Sequence, residues 1–169
     1  MLARPDPEHW IRHVPTGLYA NWNINLIVVL ATAMTVALVV LVHYEGLVWL
    51  SRRLARMQTL KRRKVLYGVY AVLALHVVEI WIFGAAMWVL LRWPVFGSVA
   101  GIDTLGLLDA VYLSAATFTT VGFGDLSPHG PVRFLAGTEA LTGFVLITWS
   151  ASFTYLEMEH FWRVRDRDG

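Results

Sequence analysis

The stretch Thr119-Thr120-Val121-Gly122-Phe123-Gly124-Asp125 holds the residue types best able to do chemistry, and it would do it with backbone atoms. Gly122 and Gly124 lack a Cβ and reach backbone angles that other residues avoid. Alternated with Thr120, Val121 and Phe123, they let successive carbonyls point one way while the bulky side chains pack outward. One chain then supplies a short column of oxygens. Several chains around an axis supply a stack of oxygen rings that can replace the water shell of a cation. Residues 107–119, directly ahead, read as a short apolar helix. Its negative C-terminal end favours a cation beyond it.

Other polar residues stand in apolar surroundings. His76 and Glu79 lie three apart on one helical face near the middle of a long hydrophobic run. Charges in such places are costly and face protein interior or water. Two roles stay open for them: an interhelical hydrogen-bonded pair that reaches Ser150 or Ser152, or a pH-sensitive gate, since histidine titrates near neutrality. Glu139 is the one charge in the last hydrophobic run, and the expectation is that it braces the short helix rather than binding an ion. His129 follows the glycine-broken stretch and reads as a surface histidine or a sensor of external pH. Zero cysteines exclude a disulfide scaffold, thiolate metal sites and thiol catalysis.

The elements that must position these residues follow from composition. Of 169 residues 57% are hydrophobic and 15% charged, whereas soluble domains carry about 25% charged residues. A water-soluble globular protein is thereby excluded in favour of a membrane protein. Three runs are long enough to cross a hydrocarbon core about 30 Å thick. They lie within residues 24–50, 65–91 and 132–156. Residues 107–119 reach only about 20 Å, half a bilayer. Gly101, Gly106, Gly122, Gly124 and Pro128 bracket them. The short segment therefore enters and leaves through irregular backbone, which in lipid survives only where it is buried in protein or lines water.

Seven of the 14 basic residues fall in residues 51–64: Arg52, Arg53, Arg56, Lys61, Arg62, Arg63 and Lys64. The net charge of +2 is thus an orientation signal, which places this loop and the tail 157–169 in the cytoplasm. No nucleic-acid partner is expected, because no folded basic face with base-reading side chains accompanies the charges. Arginines in a polar loop do not make a voltage sensor. Contact with anionic lipid is the expected further role. Residues 1–23, with Trp10, Tyr19 and Trp22, read as an interfacial segment outside the membrane, and no removable signal peptide is expected. The expected location is a plasma membrane or bacterial inner membrane, with several spans, the N-terminus outside and the C-terminus inside.

TTVGFGD resembles the selectivity filter of potassium channels, and the order outer helix, re-entrant helix, filter, inner helix is theirs as well. The likeness covers about residues 65–160. His76-Val77-Val78-Glu79-Ile80-Trp81 and Trp149-Ser150-Ala151-Ser152-Phe153 are similar to a bacterial two-helix-pore subfamily. The resemblance implies an all-α membrane protein: a pore domain 65–156 with outer helix 65–91, pore helix 107–119, filter 120–125 and inner helix 132–156, preceded by an extra helix. It implies that Thr120, Val121, Gly122 and Phe123 coordinate K⁺ through carbonyls and that the Thr120 hydroxyl closes the innermost site. Gly124 would let the chain turn out and Asp125 would form an acidic ring at the mouth. Tyr112, Ala116 and Thr119 would support the filter from the pore helix, and Gly143 would be the hinge of the inner helix. One filter per chain implies a homotetramer in a lipid bilayer that conducts K⁺ passively, with no cofactor besides the permeant ion and no enzymatic activity.

Two departures and two alternatives accompany this. Phe123 replaces the usual tyrosine and Ala116 a frequent carboxylate, so a filter less tightly braced from behind and prone to inactivate is expected. A non-conducting or regulatory membrane subunit would keep the fold and lose transport. Gly122-Phe123-Gly124-Asp125 also spells the G-x-G-D signature of intramembrane aspartyl proteases. Those need a second membrane aspartate to share a proton, and no aspartate lies in any of the three spans.

Overall fold

The structure is a computed structural model that describes residues 21–57 and 61–165. Residues 1–20 of the expected interfacial segment, 58–60 of the basic loop and 166–169 of the tail lie outside the described residues. The described chain is all-α apart from one small ribbon. Helix α1 covers Trp22–Arg56, α2 Lys61–Leu90, α3 Leu107–Phe118 and α4 Arg133–Arg165. A single 3-10 turn at Pro94–Phe96 follows α2. Strands β1 (Ser98–Ala100) and β2 (Ser127–His129) pair antiparallel, with Val99 opposite Pro128.

Three of these helices are long and apolar enough to cross a membrane. Their ends differ from the expected ones. α1 has 35 residues, about 52 Å at the α-helical rise, and runs past the expected limit of 50 through Arg52, Arg53 and Arg56. α2 starts at Lys61 rather than 65 and ends at Leu90. α4 continues to Arg165, so most of the expected tail 157–169 is helix. Within the basic segment 51–64, residues 51–56 and 61–64 are accordingly helical. Hydropathy marks where a helix can sit in lipid and not where it stops. Arginine and lysine are good helix formers that carry the helix on into polar surroundings.

α3 is short because its ends are fixed. The Gly106 backbone N–H donates to Asp109 Oδ2 at 2.9 Å, which satisfies one orphan donor of the first turn and sets an acid at the positive end of the dipole. At the other end Thr119 is the cap rather than the last helical residue, and its N–H reaches the Ala115 carbonyl. The β ribbon joins the segment before α3 to the segment after it, and the Val132 N–H donates to the Phe96 carbonyl at 2.9 Å. This tie joins the end of the ribbon region to the start of α4.

α3 is wedged between α2 and α4, while α1 packs on α2 and α4 from the side. The main core joins Phe83 and Met87 of α2, Leu113 and Phe118 of α3, and Leu135 and Leu146 of α4, with Val39 from α1. A second cluster of Leu47, Leu50, Leu54 and Val72 holds α1 to α2 nearer the basic end. The buried positions of α1 are Val28, Thr32, Val39, His43, Leu47, Leu50 and Leu54. They recur at three, four or seven residues and form one stripe. Leu26, Leu30, Met34, Leu38 and Leu41 lie off that stripe and are exposed, as befits a helix with lipid as its solvent on one side.

Candidate functional site

The segment Thr119–Asp125 leaves the end of α3 without regular secondary structure and leads through Leu126 into β2. Its φ angles alternate in sign. Thr120 has φ 59°, Gly122 54° and Gly124 81°, whereas Val121 and Phe123 are not in the positive region. Glycine reaches that region freely. Thr120 does not, and a β-branched residue held there costs on the order of 1–3 kcal/mol. Among the described residues it is the sole non-glycine with positive φ. The sequence pointed to the two glycines as the sites of unusual backbone; Thr120 makes a third, and no propensity rule marks it.

Short bonds to α3 hold the segment in place. The Thr120 N–H donates to the Thr117 carbonyl at 2.9 Å, and the Gly122 N–H to the Ala116 carbonyl at 3.1 Å. The Thr119 hydroxyl donates to the Ala115 carbonyl at 2.7 Å. Ala116 therefore contributes its carbonyl, not a side chain. Phe123 lies parallel to the Tyr112 ring, with centroids 6.3 Å apart and an interplanar angle of 3°. The Tyr112 hydroxyl donates to Asp125 Oδ2 at 2.8 Å, and this bond holds the phenol above the usual tyrosine pKa range. The hydroxyl that Phe123 lacks is thus supplied by Tyr112, which ties the helix to the far end of the segment. Against the expected loss of bracing, this brace runs over the segment's outer end.

Residues 119–125 are all exposed in the single chain, Val121 and Phe123 included, at 57% and 69%. A glycine-broken backbone with exposed apolar side chains and exposed carbonyls does not satisfy itself. In a bilayer such a segment requires protein or water on its open side.

A second polar cluster lies where α1, α2 and α4 meet. Glu79 is fully buried and accepts from His43 Nδ1 at 2.7 Å and from His76 Nδ1 at 2.8 Å, one through each carboxylate oxygen. The rings of His43 and His76 stack with centroids 5.7 Å apart, and the His43 ring lies 5.3 Å from that of Trp149. His76 in turn faces the Phe118 ring at the end of α3, 5.9 Å away. Such N···O separations are those of hydrogen bonds; two ligands on one tetrahedral zinc stand about 3.4 Å apart. His43 is the member that the sequence did not single out. It sits on the buried stripe of α1, between Val39 and Leu47, but which residue of α2 it meets depends on how two helices are rotated against each other. Ser150 is buried with no hydrogen-bond partner for its hydroxyl, and the Ser152 hydroxyl donates to the Thr148 carbonyl of its own helix. Neither serine bonds to His76 or Glu79, so the expected reach to α4 is replaced by the bond to α1.

Glu139 of α4 is fully buried and meets the Ser114 hydroxyl of α3 through Oε1. Ser114 Oγ is also 2.8 Å from the Ile80 carbonyl of α2. One turn along α4, Gly143 lies against the last residue of α3: a Cβ there would be 2.2 Å from the Phe118 carbonyl oxygen. α4 runs unbroken through Gly143. Glycine at this position is needed for the close approach of two helices, a role distinct from that of a hinge. His129 is exposed and its Nδ1 is 3.0 Å from the Ser127 carbonyl.

Three membrane-crossing helices, with a short apolar helix and an exposed non-helical loop between the second and third, define a membrane protein of the channel type. The chain belongs to the ion channel family, whose model matches residues 68–158, more than half of it. Membership of this family points to a non-enzymatic channel protein. Among curated proteins it is 39% identical over 62 residues to Protein LctB of Bacillus caldotenax, covering 36% of this chain and 46% of the relative. It is 42% identical over 50 residues to Two-pore potassium channel 1 of Arabidopsis thaliana, covering 29% of this chain and 14% of that one. A second Protein LctB, from Geobacillus stearothermophilus, is 42% identical over 53 residues, 31% of this chain and 40% of the relative. The chain spans less than half the length of these relatives. No solved structure matches it.

Proposed function

We propose that this chain is the subunit of a potassium-selective channel, in which Thr120, Val121, Gly122 and Phe123 present backbone carbonyls to a dehydrated K⁺. The observation that carries the reading is the alternation of φ through Thr120, Gly122 and Gly124. Alternating left- and right-handed backbone turns successive carbonyls to one side, where rings of oxygens replace the ion's water. The exposure of the whole segment supports assembly, because a single chain leaves its open side bare. A homotetramer closes four such segments around one axis. Asp125, tied to Tyr112 at the outer end, then rings the entrance with carboxylates.

The positions of the charges support an orientation. Arg52, Arg53 and Arg56 end α1, and Lys61, Arg62, Arg63 and Lys64 begin α2. Basic residues flanking spans mark the cytoplasmic face, which leaves the Asp125 side of the channel outward in a plasma or bacterial inner membrane. The likeness to a plant potassium channel agrees with the choice of ion. Flux of K⁺ into liposomes holding the full chain tests the proposal. Wild-type protein is expected to equilibrate the vesicles, whereas a Gly122→Ala variant is expected to leave them near the protein-free rate. Vesicles that stay impermeable to K⁺ with wild-type protein would favour the non-conducting subunit.

A further inference from the structure

The helix that presents the Thr119–Asp125 segment is gripped from both sides, and the grip turns on one proton. Ser114, in the middle of α3, is fully buried with two oxygens in reach: the Ile80 carbonyl of α2 at 2.8 Å and Glu139 Oε1 of α4. A hydroxyl has one proton to give. The Ile80 carbonyl can only accept. If Ser114 donates to Ile80, its contact with Glu139 is a hydrogen bond only when the carboxyl group donates to Ser114 Oγ. If Glu139 were an ionised acceptor, one of the two contacts would be two oxygens facing each other with no proton between them.

The surroundings of Glu139 lead to the same conclusion. Among the described residues its carboxyl group has no cation partner, and the buried histidines His43 and His76 bond to Glu79 instead. Its second oxygen, Oε2, is buried without any partner. An ionised carboxylate left unpaired in a low-dielectric interior carries a prohibitive cost, whereas the carbonyl oxygen of a neutral acid left unbonded costs on the order of 1–3 kcal/mol. Oε1 as the hydroxyl and Oε2 as the carbonyl accounts for both observations.

The contact also sits at a place that matters for α3. Glu139 meets Ser114, and Gly143 meets Phe118. The two contacts are four residues apart on both helices, one turn on each. On the opposite side Ile80 meets Ser114, and a Cβ on Gly84 would lie 2.8 Å from Val111 Cα, again four residues from Ile80 along α2. Glycine contacts bring α2 and α4 close to α3, and Ser114 is the polar point where all three helices join.

We propose that Glu139 is a neutral, hydrogen-bond-donating acid that fixes α3 between α2 and α4 and thereby positions the Thr119–Asp125 segment. Its effect on conduction rests on the channel reading above; its protonation does not. Glu139 is a positioning residue, since it touches neither the ion path nor the segment itself.

Infrared spectra of the full chain in lipid at neutral pH, with flux measured on the same vesicles, test this. The wild type is expected to show the carbonyl stretch of a protonated carboxyl group that vanishes in Glu139→Gln and moves to higher frequency in Ser114→Ala, where the acid loses its acceptor. Glutamine keeps a donor at the same reach, so Glu139→Gln is expected to hold K⁺ flux within about threefold of wild type, the scale of one altered hydrogen bond. Glu139→Ala is expected to lose about tenfold or more. Absence of the band in the wild type, or its persistence in Glu139→Gln, overturns the proposal. So does a glutamine variant as inactive as the alanine one, or an alanine variant as active as wild type. If Glu139→Ala does not fold, the band and the glutamine variant still decide. If wild-type protein passes no K⁺, the channel reading fails while the band still reports on Glu139.

Discussion

The Thr119–Asp125 segment and the His43–Glu79–His76 cluster both place polar groups in an apolar chain, and the backbone of the first and the Glu79 carboxylate of the second are satisfied in opposite ways. In the cluster each carboxylate oxygen has a histidine partner from the same chain, and the group is buried where α1 and α2 meet. In the segment the N–H groups of Thr120 and Gly122 are bonded back to α3, but every residue is exposed and the backbone sits partly in left-handed conformations. A polar group satisfied within the chain adds stability and specifies how helices dock. A group left open has to be completed by something outside the chain. In the proposed channel, that difference separates the part that holds the molecule together from the part that acts.

The comparison can be broken most sharply at Gly122. A Cβ there meets nothing within 4 Å, but φ is +54°, so the cost of Gly122→Ala is purely conformational, ~1–2 kcal/mol per chain. With one segment from each subunit around an axis, K⁺ flux is expected to fall by about tenfold or more while the thermal midpoint in detergent falls by only a few degrees. A variant that melts early with flux intact would reverse the division between the two regions.

His43→Ala is expected to do the opposite. It leaves one Glu79 oxygen buried and unbonded, a loss of about 2–3 kcal/mol, so α1 becomes easier for protease to release while the K⁺ over Na⁺ preference stays unchanged. A changed ion preference with wild-type stability would move the cluster into the conducting machinery.

Gly143→Ala and Gly137→Ala sharpen the same contrast along α4. The Cβ of the first would press on the Phe118 carbonyl, whereas that of the second meets nothing within 4 Å. Overpacking predicts a loss of ~1–3 kcal/mol for Gly143→Ala, and alanine in a helix predicts a small gain for Gly137→Ala. Equal melting temperatures for the two variants would show that Gly143 is not held by contact.

The smallest effect is expected at Tyr112→Phe, which removes an exposed tie to Asp125. Decay of flux over time should quicken on the order of twofold, as befits an exposed charge-linked bond. The phenol's pKa is raised by that bond. The tie is therefore present through the range where a free tyrosine ionises, and is lost only as pH rises past the raised value. An alkaline step in flux stability should appear in the wild type and be missing from Tyr112→Phe.

Much of this was legible in the residues. Long apolar runs gave three spans, and the length of residues 107–119 gave a helix too short to cross, because lipid imposes lengths directly. Glycine spacing exposed the unusual backbone of Gly122 and Gly124. Helix ends were missed where Arg52, Arg53, Arg56 and Lys61 continue a helix that hydropathy had already ended. The β1–β2 ribbon was missed because three-residue strands carry no periodicity. His43 and the Tyr112–Asp125 bond were missed for a shared reason: each depends on which faces meet in three dimensions, and one sequence does not encode that rotation in a local pattern. In the sequence Thr120 offers a hydroxyl and a carbonyl, while its left-handed φ belongs to the turn out of α3.

In the proposed channel, four copies of the Thr120–Phe123 backbone select K⁺. The most direct measurement compares K⁺ and Na⁺ flux in the same liposomes, with wild-type protein and equal gradients. The proposal predicts K⁺ flux exceeding Na⁺ flux by at least about tenfold, since rings of carbonyl oxygens would replace the hydration shell of K⁺ better than that of Na⁺. Equal flux of the two ions through wild-type protein would contradict it.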